Sequence, residues 1–97
     1  MSVFWTITAT DQLVAIRDYF ALSSPGYAQA VAARIVARAD QLDGMPLLGA
    51  EVPEYADPDL REVYEHPYRV LYRVDGPDAQ VVAVIHSARR LPIRPPN

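Results

Sequence analysis

The chain has 97 residues, of which 51% are hydrophobic and 22% are charged, and its formal net charge at pH 7 is −3. This length supports one hydrophobic core, so we expect a single domain over residues 1–97. The apolar content excludes a disordered chain, and the absence of cysteine excludes disulfides and thiolate metal sites. We find no basic and apolar leader and no run long enough to span a membrane, so the expected location is the cytoplasm.

The first half of the chain predicts one strand and a pair of helices. Residues 3–8 are β-branched and aromatic, which is typical of a strand. Residues 10–23 predict a first helix, which Thr10 or Asp11 can cap. Residues 24–43 predict a second helix, because a serine followed by a proline starts the segment and a glycine follows it. The apolar stripe of this second helix consists of Ala28, Val31, Ala32, Ile35, Val36, Ala39 and Leu42.

The second half of the chain predicts a loop followed by three strands. Residues 44–59 contain three prolines and two glycines with little periodicity, so we interpret them as a long surface loop. Turn residues separate three strand-like runs at residues 60–65, 68–75 and 80–89. Residues 91–97 form a proline-rich tail that cannot continue a ladder. The predicted fold class is α+β, with the order βααβββ and the helical hairpin on one face of a small, largely antiparallel sheet.

The nine arginines are unevenly distributed, and the chain contains no lysine. Residues 1–59 hold three Arg and eight Asp or Glu, whereas residues 60–97 hold six Arg and four acidic residues. A basic segment therefore lies within an acidic protein. Period-two alternation along the second of the three strands places Arg69 and Arg73 on one face, which we expect to be the open face away from the helices. Guanidinium groups suit forked contacts with carboxylates or phosphates.

The ordered elements of the chain resemble the RelE/ParE superfamily of toxins from type II toxin-antitoxin systems. The matching elements, which span nearly the whole chain, are Trp5-Thr6, Leu13-x-x-Ile16-x-x-Tyr19-Phe20, Pro46-x-x-Gly49, Leu60-Arg61-Glu62, Tyr68-Arg69-Val70-Leu71-Tyr72-Arg73-Val74 and Val84-Ile85-His86-Ser87-Ala88-Arg89-Arg90. The resemblance implies a βααβββ fold and growth arrest when the toxin is free. It also implies a cognate antitoxin that wraps the toxin in a hetero-oligomer.

The resemblance implies one of two mechanisms. ParE-like members inhibit DNA gyrase without a catalytic set of residues, and the absence of lysine and of a C-terminal aromatic residue favours this branch. We expect the contacts with the target or the antitoxin at Arg69, Arg73, Arg89 and Arg90. RelE-like members are ribosome-dependent mRNA endonucleases, and RNA cleavage needs an acid-base group and cationic support for the phosphate. The residues for this alternative are His86, Arg61 and Arg69.

Other interpretations of the same residues stay open. Arg69 and Arg73 can pair across strands with Glu62 or Glu65, which would make them structural. A lone histidine such as His86 is commonly a strand-end residue that a neighbour satisfies. A third functional interpretation is a retained immunity or decoy module without toxicity. We expect no cofactor and no metal site under any of these interpretations.

Overall fold

A computed structural model describes residues 2–97 as a five-stranded sheet with two helices on one face. The elements are β1 (Val3–Trp5), α1 (Ile7–Ala21), α2 (Pro25–Asp40), β2 (Ala50–Glu51), β3 (Leu60–Glu65), β4 (Tyr68–Asp75) and β5 (Asp78–His86). The strand order is β1-β5-β4-β3-β2, and β1 is parallel to β5 while all other neighbours are antiparallel. The predicted α+β class is confirmed. The structure contains one short strand, β2, in addition to the predicted order βααβββ.

The first strand is shorter than predicted because Thr6 starts the first helix. The Thr6 side-chain oxygen accepts a hydrogen bond from the Ala9 N–H at 3.1 Å, which is the geometry of a helix N-cap. The Thr6 N–H donates to a carbonyl of β5, so this residue ends the β1 ladder and begins α1. The prediction of a strand over residues 3–8 and of a cap at Thr10 or Asp11 is therefore wrong.

The main core lies between the helices and the sheet. The second helix begins as predicted, with the Ser24 hydroxyl accepting from the Tyr27 N–H and Pro25 in the first turn. The buried residues of this core are Val3, Ala9, Val31, Ile35, Ala39, Leu42, Val63, Tyr68, Val70, Tyr72, Ala79, Val81 and Val84. The first helix buries only Ala9 completely, so much of its apolar face stays accessible. Within residues 2–97, no helix has the length and hydropathy needed to cross a membrane.

The face of the sheet away from the helices is covered, and the prediction that it is open is wrong. Residues 52–59, which we call the covering segment, run between β2 and β3 across this face. Tyr55 from this segment and Leu91 from the tail pack against a second core. Its buried residues are Val52, Leu60, Leu71, Val82, Ala83 and Ile85. The Tyr55 hydroxyl also donates to the Pro92 carbonyl at 2.6 Å, so the covering segment holds the tail.

The remaining strand boundaries are partly as predicted. The strands β3 and β4 have the predicted bounds, whereas the strand predicted over residues 80–89 lies at Asp78–His86. It starts earlier because Gly76, with a φ of 57°, allows a tight turn between paired Asp75 and Asp78. It ends earlier because the Arg89 N–H donates to the His86 carbonyl. The interpretation of residues 44–59 as a loop without strands is wrong, since β2 pairs with β3 there.

Gly49 leaves no room for a side chain beside β3 and β4. A Cβ atom on Gly49 would lie 2.4 Å from the Glu62 carbonyl oxygen and 2.7 Å from the Tyr72 hydroxyl oxygen. The Gly49 N–H donates to this hydroxyl at 2.8 Å, and the hydroxyl donates to the Pro46 carbonyl at 2.7 Å. Burial raises the pKa of the Tyr72 hydroxyl, which keeps its proton available for that bond.

We expect Gly49→Ala to lower the free energy of unfolding by about 1–3 kcal/mol, because the added methyl overpacks against backbone. Chemical denaturation measures this difference. The matched control is Gly26→Ala in α2, where no atom lies within 4 Å of the added Cβ. This control should be neutral or stabilising by up to about 1 kcal/mol. Equal destabilisation by both substitutions would contradict the close approach at Gly49.

Candidate functional site

A groove lies between α1, the end of β5 and the C-terminal tail, and we call it the α1–β5 groove. Its volume is about 1000 Å³. Ile16, Tyr19 and Phe20 of α1 form one wall, and His86 and Arg89 form part of the other. Among residues 2–97, those that line the groove include no Asp or Glu. The groove is therefore an apolar surface with a basic rim.

The apolar wall of the groove is built from aromatic rings in edge-to-face contact. The ring centroids of Tyr19 and Phe20 are 5.3 Å apart with an interplanar angle of 78°, and Phe20 contacts Tyr27 in the same way at 5.2 Å. Across the groove, Tyr68 and His86 form a third such contact at 5.7 Å. Tyr19 is 71% exposed, so this wall presents aromatic area to solvent. Rigid, exposed aromatic groups of this kind are typical of interaction surfaces.

His86, Arg89 and Arg90 lie together at the end of β5. The His86 Nδ1 accepts a hydrogen bond from the Ala88 N–H at 3.1 Å, which leaves Nε2 to carry the proton of the neutral imidazole. The turn after His86 exposes both arginines. Within residues 2–97 neither arginine makes an ion pair. Three of the predicted site residues therefore share this surface.

Arg69 lies on the opposite face of the sheet, inside a buried cluster of ion pairs. Its Nε donates to Glu62 Oε1 at 2.6 Å, and its two terminal nitrogens donate to the Glu54 carboxylate at 2.7 and 2.8 Å. The Arg69 hydrogen bonds lower the pKa of Glu54, and the carboxylates raise the pKa of Arg69. The pairing of Arg69 with Glu62, one of the alternatives from the sequence, is present. Arg69 can meet an external partner only by breaking these contacts.

Arg73 shares this face but lies nearer to solvent. Its Nη1 donates to Asp57 Oδ2 at 2.9 Å, and both side chains are 32% exposed. This hydrogen bond lowers the pKa of the Asp57 carboxyl. Asp57 belongs to the covering segment, so Arg73 and Arg69 both tie that segment to β4. Two of the four predicted contact residues, Arg69 and Arg73, therefore have acidic partners inside the chain.

Arg61 lies far from His86 and on the other side of the sheet from Arg69. It pairs in register with Tyr72 on β4, whereas His86 pairs with Tyr68, four positions away along the same strand. Its Nη1 donates to the Gly49 carbonyl at 2.9 Å, and its buried Nε has no partner within residues 2–97. The three residues predicted for the endonuclease alternative are therefore not assembled into one site.

Two residues that position the site have no signal in the sequence. The Gln12 side-chain oxygen of α1 accepts a hydrogen bond from the Val84 N–H at 2.8 Å, across 72 positions of the chain. Glu54 binds Arg69 from a proline-flanked segment without periodicity. Both contacts depend on long-range geometry, so neither a motif nor a spacing predicts them.

We expect Arg69→Met to lower the free energy of unfolding by about 3–5 kcal/mol, because it leaves the Glu62 carboxylate buried without a partner. Glu62 is 6% exposed. The matched control, Arg73→Met, breaks a half-exposed pair and should cost about 1 kcal/mol or less. Adding Glu62→Met to Arg69→Met should recover much of the loss, since it removes the orphaned charge. Denaturant titration of the three variants measures these differences, and similar losses for Arg69→Met and Arg73→Met would contradict the assignment.

The same ion pairs predict sensitivity to acid. A carboxyl whose pKa is lowered by folding stabilises the fold above its unfolded pKa, and this contribution is lost as the pH falls through the folded pKa. Arg69 lowers the pKa of Glu54 below its ordinary value of 4.5. We therefore expect the Tm of the wild type to fall as the pH drops below about 4.5, and to fall less steeply in Arg69→Met. Thermal denaturation between pH 7 and 3 measures both slopes, and equal slopes would count against this pairing.

Comparisons with known proteins agree with this architecture. The family model described as the ParE toxin of the type II toxin-antitoxin system parDE matches residues 3–91. Toxin RelE2 of Caulobacter vibrioides is 40% identical over 91 residues, which cover 90% of this chain and 96% of that protein. A solved structure titled as a chromosomal ParDE toxin-antitoxin system from P. aeruginosa superposes with a TM-score of 0.74 at 28% identity, covering 89% of this chain and 95% of that one. The chain belongs to the ParE family of toxins from type II toxin-antitoxin systems.

Proposed function

We propose that this toxin arrests growth by inhibiting DNA gyrase through direct protein-protein contact. The observation that carries the proposal is the α1–β5 groove, where exposed aromatic rings lie beside Arg89 and Arg90. Tyrosine, phenylalanine and arginine are the residues that protein interfaces enrich. An arginine without a carboxylate inside its own chain can pair with one on a partner at no internal cost. The groove thus has the composition of a docking surface.

The distribution of candidate catalytic groups also supports a binding function. Cleavage of RNA through its 2′-hydroxyl needs a base, an acid and cationic support within reach of one phosphate. Arg69 and Arg61 do not line the groove, and Arg69 makes three hydrogen bonds to the carboxylates of Glu54 and Glu62. Among residues 2–97, His86 is the single imidazole that lines the groove. A surface that inhibits gyrase by binding alone does not need an acid, a base and cations assembled around one phosphate.

The proposal divides the predicted contact residues into two sets. Arg89 and Arg90 contact gyrase directly, since both are exposed and neither makes an ion pair within residues 2–97. Arg69 and Arg73 act indirectly, because they hold the covering segment that in turn holds the tail. The position of the tail then determines the positions of Arg89 and Arg90. A type II toxin has an antitoxin as its partner. In this proposal the antitoxin competes with gyrase for the same surface.

A second candidate function is ribosome-dependent mRNA cleavage. It is favoured by the juxtaposition of His86 with Arg89 and Arg90, and by the name of the Caulobacter vibrioides relative, Toxin RelE2. In this alternative the arginines would hold the scissile phosphate and the His86 Nε2 would move the proton.

We expect the double variant Arg89→Glu/Arg90→Glu to need at least about tenfold more toxin for half-inhibition of supercoiling by purified gyrase, because reversed charges oppose acidic partner groups. The matched control is Arg94→Glu. Arg94 is also an exposed arginine of the tail, but it does not line the groove. The control should stay within about threefold of the wild type. Inhibition by the double variant at wild-type strength would exclude this surface as the gyrase contact.

A parallel assay of mRNA on translating ribosomes separates the two candidates. If the wild type cuts mRNA and His86→Ala does not, the gyrase proposal is wrong and the second candidate stands. If induction without the antitoxin leaves growth unchanged, the chain is a retained member without toxicity, and both mechanisms fail. Growth arrest with neither activity would point to a different target.

A further inference from the structure

The strand β1 is an edge strand whose outer side carries no other strand. It stands first in the strand order and pairs with β5 alone. The Ser2 carbonyl and the Thr6 N–H both bond to β5, so these residues direct their backbone groups inward. Backbone groups alternate in direction along a strand, so those of Val3 and Trp5 point away from the sheet. Within residues 2–97, these outward N–H and C=O groups have no partner.

The edge of β1 lacks the features by which proteins prevent unwanted strand pairing. Such features are charged side chains, prolines, bulges and very short strands. The sequence of β1 is Val-Phe-Trp, and its ladder with β5 is regular. By contrast, the strand at the opposite edge, β2, has two residues and carries the exposed Glu51. Beyond β1, the Gln12 side chain occupies the Val84 N–H on the edge of β5.

The free groups of β1 are complementary to those of a second copy of β1. In an antiparallel pair, two residues that face each other with their backbone groups exchange both hydrogen bonds. A twofold axis through Phe4 places Val3 opposite Trp5 of the second copy, and Trp5 opposite Val3 of the second copy. Each outward N–H then meets an outward C=O. A twofold contact of this kind is closed, so the association stops at a dimer.

The side chain of Phe4 suits the centre of such a contact. Val3 and Trp5 belong to the core under the helices, so Phe4 points to the other face of the sheet. Phe4 is 50% exposed. The twofold axis brings the two Phe4 residues to directly opposite positions, where Cα atoms are about 4.5 Å apart and side chains are closest. Aromatic pairs at such positions stabilise sheets.

Charges at the ends of β1 also suit a second copy. The same register places Ser2 opposite Thr6 of the second copy, where α1 begins. The Ser2 N–H donates to the Asp43 carboxylate at 3.2 Å, so each copy carries a negative charge beside Ser2. The first turn of α1 contains no acidic residue of its own. A helix N-terminus favours nearby negative charge, so Asp43 of one copy complements α1 of the other.

We propose that the free toxin forms a twofold dimer by antiparallel pairing of β1 with β1 of a second copy. The pairing joins the two five-stranded sheets into one continuous sheet. Each copy contributes a strand of three residues, so the interface is small and the dimer is reversible. We expect a Kd on the order of 10–100 µM. The dimer does not depend on the identity of the cellular target.

A charge at the twofold axis tests this arrangement. Phe4→Lys places two positive charges directly opposite each other, so we expect it to raise the Kd of the dimer at least about tenfold. The matched control is Gln80→Lys. Gln80 is exposed and pairs in register with Phe4, but it lies on β5, one strand away from the axis. The control should stay within about threefold of the wild type. Sedimentation between about 1 µM and about 1 mM measures all three values.

The wild type supplies two readouts that need no variant. Trp5 is the only tryptophan of the chain, and it packs against Val3 of the second copy in the dimer. Its fluorescence emission should therefore move to shorter wavelength as the concentration passes the Kd. The Val3 and Trp5 amides become ladder donors, so we expect them to exchange hydrogen at least about threefold more slowly at about 500 µM than at about 5 µM.

Three results would overturn the proposal. The first is a toxin that stays monomeric up to about 1 mM. The second is a dimer that Phe4→Lys and Gln80→Lys affect equally, which would place the contact elsewhere or show a general effect of charge. The third is a dimer in which the exchange of the Val3 and Trp5 amides does not depend on concentration.

Discussion

The ion pairs of the buried Arg69 guanidinium are the interaction on which the face of the sheet away from the helices depends. A charge at this depth needs acceptors for its donors, and the sheet alone supplies only Glu62. Glu54 accepts two further hydrogen bonds, which tie the covering segment across the sheet. Tyr55 of the same segment then reaches the Pro92 carbonyl and fixes the start of the tail. The position of the basic rim of the groove thus traces back to one pair of carboxylates on the opposite face.

The arginines of residues 60–97 therefore have two different roles. A count of charges along the sequence does not distinguish them. Arg69 and Arg73 are neutralised by Glu54 and Asp57, which belong to the acidic half of the chain. Arg89 and Arg90 keep their charge available to a partner. The local excess of positive charge is real, but it is concentrated at the end of β5. A surface of this kind resembles a protein-docking site with a charged rim more than a platform that tracks phosphates.

Local patterns explain what the sequence predicts correctly, and long-range contacts explain what it misses. The bounds of β3 and β4 follow from alternation and turn residues, and α2 follows from its serine cap and proline. The start of α1 is missed because Ile7 and Thr8 prolong a β-branched run, although Thr6 caps the helix. His86, Arg89 and Arg90 are identified by residue type alone. The groove that joins them is not predictable in this way, since its shape depends on where β1 stops and on a glutamine 72 positions from its partner.

The hydrogen bond between Gln12 and Val84 has a consequence for the toxin when no partner is bound. An exposed strand edge invites pairing between identical molecules, and natural proteins block such edges to avoid aggregation. The Gln12 side chain accepts a hydrogen bond from the Val84 N–H of β5. This backbone donor is therefore not available to a strand from a second copy of the toxin. A single amide side chain thus satisfies a backbone donor of β5 and leaves fewer groups there for association between copies of the toxin.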